Sequence, residues 1–220
     1  MAPGSPSKGK PAPLPAPLLA KLDNGRMPPL QQGDLDGLCG LYAAVNALRL
    51  VLAPVRQVRR PEALLWFRIG LESLGETGNL QDFVAHGIGP KDWLNLMESL
   101  TAFASSRGDH HICVSQPLRH AARAPRSQMY GAIEDAIVHG RAVLITLSGV
   151  HNHYTLVSGY SPSNLWLFDS GKLQKIGRAH CGTQRSSNKW RHRINVRTLT
   201  VLSLTPKRKT RVTSVRAPSR

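Results

Sequence analysis

The chain has 220 residues and a formal charge of +16, with 29 lysines and arginines against 13 acids. That length suffices for one domain with a buried core plus tails, and no apolar run is long enough to span a membrane. Three cysteines, Cys39, Cys113 and Cys181, are too few for a disulfide framework and lack C-x-x-C metal spacing, which points to a reducing, cytoplasmic setting.

Residues 1–29 are rich in Pro, Ala and Lys, carry +3 with Leu30, and lack the apolar stretch of a secretory signal; export without such a signal stays open. Their composition cannot bury enough apolar surface to fold, so they read as a disordered tail. Residues 30–205 read as the folded domain. The run from Gln31 to Leu48 then delivers one cysteine through Asp36-Gly37-Leu38 into an apolar helix expected over Leu38 to Leu52, with Asp36 as its N-cap and Pro54 as its stop. The unpaired N–H groups at a helix start favour a thiolate, the nucleophilic form of cysteine. Asn46, on the same helix, reads as structural.

Further helices are expected over Pro61 to Leu74, Leu80 to His86, Lys91 to Ser106 and Gln128 to His139. Glu134 and Asp135 read as a solvated face of the last of these. Strands are expected at Ile112-Cys113-Val114, Ala142 to Leu147, Tyr154 to Tyr160, Leu165 to Phe168 and Val196 to Leu204. Trp66, Trp93 and Trp166 read as core aromatics. The turn Ser161-Pro162-Ser163-Asn164 makes a hairpin in which His153 opens one strand and Asp169 closes its partner. Paired antiparallel, an imidazole and a carboxylate fall at one end of the hairpin, where the acid can fix the ring's tautomer and orientation. His151 is the alternative histidine. Residues 206–220 hold six basic residues and no acid, giving +6, and read as a disordered basic tail that binds polyanions weakly by counterion release. The remaining +7 belongs to the domain.

The glutamine-to-cysteine run into Cys39-Gly40, the Gly140-Arg141-Ala142-Val143-Leu144-Ile145 helix-to-strand junction and the strand ends at His153 and Asp169 resemble the papain-like cysteine peptidase superfamily, in its C39-like bacterial branch. The resemblance covers Gln31 to Gly171. It implies an α+β fold whose N-terminal helical half carries the nucleophile helix and packs on a mostly antiparallel C-terminal sheet, with Cys39 and His153 on opposite walls of a cleft. It further implies catalysis by Cys39, His153 and Asp169, with Gln32 or Gln31 serving the oxyanion; these stand seven and eight residues before the cysteine, one to three more than the family spacing.

The function that follows is a cysteine hydrolase, a peptidase or isopeptidase needing no cofactor or metal, whose substrate is a protein or peptide; deamidation and transamidation use the same acyl-thioester. The oligomeric state is not legible. The rival reading, a metal-dependent nuclease or nucleic-acid-binding protein, rests on the basic balance and on the pairs His110-His111-x-Cys113, His151-x-His153 and His180-Cys181. Because an amide oxygen can accept an imidazole N–H, Asp169→Asn is expected to retain more activity than His153→Ala.

Overall fold

The structure, a computed structural model, describes residues 27–33, 36–121, 123–184 and 190–207. Most of the two tails therefore lies outside the described residues. The folded unit reaches back into the expected N-terminal tail: Met27 is buried, and the Pro28 carbonyl accepts a hydrogen bond from Arg49 Nη1 at 2.9 Å.

Helices α1 (Cys39–Leu52), α2 (Arg60–Thr77), α3 (Leu80–His86) and α4 (Pro90–Ser106) come first, then strand β1 (His110–Ser115) and helix α5 (Arg126–Val138). Strands β2 (Ala142–Gly149), β3 (His153–Tyr160), β4 (Asn164–Phe168), β5 (Lys175–Gly177), β6 (Cys181–Thr183), β7 (His192–Ile194) and β8 (Thr200–Pro206) complete the described fold. The sheet runs β1-β8-β2-β3-β4-β5, with β7 sharing the β8 edge of β2, and every pairing is antiparallel except β6 with β7. The architecture is α+β.

Helix α1 is apolar on nearly all sides, and twelve of its fourteen residues are buried, as a helix enclosed by other elements must be. It packs on β2 and β3 within a core shared with Trp66, Trp93, Leu96 and Leu156. Helix α5 covers the opposite sheet face through Met129, Ile133 and Ile137, which meet Val143, Ile145 and Val157 in a second core. Both faces of β2 are thus buried, and its sequence is a nearly continuous apolar run for that reason. Gly140, at φ +68°, ends α5 in a Schellman turn, with the Arg141 N–H on the Ala136 carbonyl and the Gly140 N–H on that of Ile137, both at 2.9 Å.

Three expectations change here. The strand expected from Val196 begins only at Thr200, because Asn195 Oδ1 accepts from the Arg197 N–H and turns the chain. Trp166 is 39 % exposed and lies under the Lys175 ammonium instead of in the core. Glu134 is not merely solvated, since its Oε1 pairs with Arg178 Nη2 at 2.6 Å.

Candidate functional site

Cys39 is the first residue of α1, and the residue before it, Leu38, occupies the N-cap position. Asp36 is therefore not the cap. Its Oδ1 accepts from the Leu38 N–H at 3.0 Å in an Asx turn that aims the chain into the helix. Gly37 makes this turn fit: its N–H donates to the Val84 carbonyl at 2.6 Å, and a Cβ there would lie 2.8 Å from the same oxygen. Helix α3 is in this way the buttress of the cysteine turn.

His153 opens β3 opposite Leu147 of β2. Asp169 follows the end of β4, which pairs with β3 from Leu156 and Phe168 onward. His153 Nε2 meets Asp169 Oδ1 at 2.7 Å, with side-chain exposures of 16 % and 1 %. A carboxylate can only accept, so Nε2 carries the hydrogen. The other carboxylate oxygen accepts from the Gly171 N–H at 2.8 Å and the Leu173 N–H at 2.9 Å. The two backbone donors were not singled out from sequence, although a glycine two residues after an aspartate is the mark of an Asx turn.

Cys39 Sγ lies 3.9 Å from the Gly37 carbonyl, and the side chain is close enough to the His153 ring to help raise it. With Nε2 committed to Asp169, Nδ1 is the nitrogen left for sulfur. Burial alone would push the imidazole down, but its hydrogen bond to Asp169 and the influence of nearby Cys39 outweigh it and hold His153 up at about 9. Burial would likewise raise Asp169, yet the bond from His153 and the Leu173 N–H hold its carboxyl below the usual range. The structure thus brings Cys39, His153 and Asp169 into one array.

Tyr154 forms the floor. Its OH donates to the Ile88 carbonyl at 3.0 Å, its ring centroid lies 4.6 Å from that of Trp93, and burial pushes its hydroxyl up to about 12. Gln31 and Gln32 both commit amide hydrogens to backbone carbonyls. Gln31 Nε2 donates to the carbonyls of Pro29 at 3.3 Å and Asp169 at 3.4 Å; Gln32 Nε2 donates to the Asp36 carbonyl. His151 stacks on His192 with centroids 5.5 Å apart. Among the described residues no three His, Cys, Asp or Glu side chains gather so as to hold a metal ion, and no helix is long and apolar enough to cross a membrane.

Compared with models of known protein families, with curated proteins and with solved structures, the chain matches none.

Proposed function

We propose that this protein is a papain-like cysteine hydrolase acting on amide or isopeptide bonds of a protein or peptide substrate. The observation that carries the reading is the part-buried His153–Asp169 hydrogen bond at 2.7 Å, on a ring that Cys39 stands near enough to raise. A ring held up at about 9 is protonated at neutral pH, so the proton needed by the leaving group is in place when the deprotonated sulfur attacks.

Cys39 Sγ attacks the substrate carbonyl carbon and forms the C–S bond, and the carbonyl electron pair moves onto oxygen. The Cys39 backbone N–H, which has no partner within the helix, stabilises that oxyanion together with the one amide proton of Gln32 not committed to Asp36. Collapse breaks the C–N bond as His153 gives its proton to the departing amine. His153 then takes a proton from water, whose oxygen displaces the thiolate and releases the acid. Asp169 keeps the ring in the tautomer that leaves Nδ1 toward sulfur.

The test is mass spectrometry of the chain after incubation with lysate and rapid acid quench. A substrate acyl group on Cys39 that is absent from Cys39→Ala and removed by hydroxylamine is the expected result. Iodoacetamide labelling of Cys39 no faster than that of exposed Cys113, with no adduct recovered, would end the proposal.

A further inference from the structure

A concavity of about 440 Å³ opens between the start of α4, the turn following β1 and the turn leading to β8. Lys91, Arg119, His120 and Arg197 line it alongside Asn95 and Gln116, with no acid in its wall. Among the described residues none of these four basic side chains forms an ion pair. Their backbones are pinned. The Arg119 N–H donates to the Gln116 carbonyl at 3.1 Å, the Arg197 N–H to Asn195 Oδ1 at 3.1 Å, and Lys91 stands in the first turn of α4, where helix N–H groups add positive potential. Asp92, the next residue, is half-buried and is felt by Tyr154.

Contacts through mostly buried residues tie this concavity to the surroundings of the cysteine. Ile88 Cδ1 lies 3.1 Å from where a Cβ on Gly40 would stand, and Lys91 follows three residues later, a span of about 10 Å. On the other side Thr198 Oγ1 bonds Thr146 Oγ1 at 2.8 Å, and Thr146 pairs with Tyr154 across β2 and β3. An extended peptide advances roughly 3.3 Å per residue, so a chain lying across Cys39 reaches the concavity within about five residues.

We infer that this concavity is a specificity subsite for acidic side chains of the peptide substrate, a reading that rests on the hydrolase proposal above. Unpaired cations on fixed turns select carboxylates by favouring the ligand that neutralises them and rejecting one that adds positive charge.

The test uses the full chain. Binding of a fluorescent hexa-aspartate peptide to Cys39→Ala is compared with a hexa-asparagine peptide at physiological salt. Lys91→Glu/Arg119→Glu/Arg197→Glu should lose at least tenfold in affinity for hexa-aspartate. Arg59→Glu/Arg60→Glu/Arg68→Glu, the same charge change on and before α2, should lose less than threefold. Arg197→Gln alone, on an exposed turn, should lose about threefold and serves if the triple variant does not fold. Equal losses in the two triple variants would reduce the effect to net charge and overturn the subsite. So would a six-nucleotide RNA that binds more tightly than the peptide and depends on the same three residues. With active chain, a peptide library should show acid preference on one side of the scissile bond that the concavity variant abolishes. Cleavage with no such preference overturns the subsite and leaves the hydrolase; concavity-dependent binding with no cleavage of any peptide leaves an acidic-peptide site and removes the hydrolase.

Discussion

Gly171 and His153 touch across the strand ends: a Cβ on Gly171 would stand 3.5 Å from both Cε1 and Nε2 of the imidazole and 3.2 Å from Asp169 Oδ2. The loop after β4 therefore closes directly on the paired ring and acid, and a Cβ there would rest against the ring and crowd Asp169 Oδ2 by a few tenths of an ångström. Gly171→Ala should lower kcat/KM by about tenfold or more, since small misplacements of reacting groups cost that much. Steady-state kinetics beside a thermal melt checks it, the melt moving by only a few degrees because the residue is exposed.

The two donors on Asp169 Oδ2 reverse the expectation for Asp169→Asn. An asparagine at that site satisfies the Gly171 and Leu173 N–H groups only by turning its oxygen toward them, which puts its NH2 against Nε2. The ring must then accept at Nε2 and carry its hydrogen on Nδ1, where sulfur needs the opposite. Asp169→Asn should lose activity by about 10³-fold or more, close to His153→Ala. Retention of a tenth of the parent rate would show that the amide does not adopt this orientation.

Activity should fall on an alkaline limb near pH 9 as His153 loses its proton, and kcat/KM against pH reads it. Stability carries the same sign. A folded value above the unfolded 6.5 contributes stability fully present below about pH 6.5 and lost as pH rises through 9, amounting to roughly 3 kcal/mol at most. Asp169, held low, contributes stability that is present above its unfolded value and lost in acid. Between pH 6.5 and 9 the melting temperature of His153→Gln should decline less than that of the parent.

The three thiols should separate under native alkylation. Cys113 is exposed and Cys39 half-buried, whereas Cys181 is fully buried and its thiol is pushed up to about 11 by burial. Iodoacetamide near neutral pH should modify two cysteines in the folded chain and the third only in denaturant, as peptide mapping would show.

Gln32→Ala should cost about 10- to 100-fold in kcat with little change in KM, the pattern of a donor used only in the transition state. Gln31→Ala should act more weakly. A larger effect from Gln31 would move the oxyanion donor to the residue that now bonds the Asp169 carbonyl.

Much of this arrangement was legible because it is local. Pro61 and Pro90 at helix starts, the apolar period of α4, Gly140 after α5 and the β3–β4 turn each act within a few residues. The array of Cys39, His153 and Asp169 was legible as residue types at element ends. What escaped depends on tertiary partners. Strands β5, β6 and β7 are three residues each, too short for any alternation, and exist because β4 and β2 offer edges. The Asn195 turn runs into the start of a stretch that reads as β-branched and apolar, and the Asp36 carboxylate accepts from the Leu38 N–H before the helix instead of capping it.

The Gln32 N–H donates to the Ser170 carbonyl at 3.1 Å, so the chain leading into α1 is laced to the loop behind the acid. Its ends in sequence are far apart, so that ring of chain is a long closure. Long closures cost entropy before any contact repays it, which makes them late steps in folding. The thiol and the imidazole therefore meet through a closure between distant parts of the chain, and their array depends on long-range contacts rather than on any one local segment.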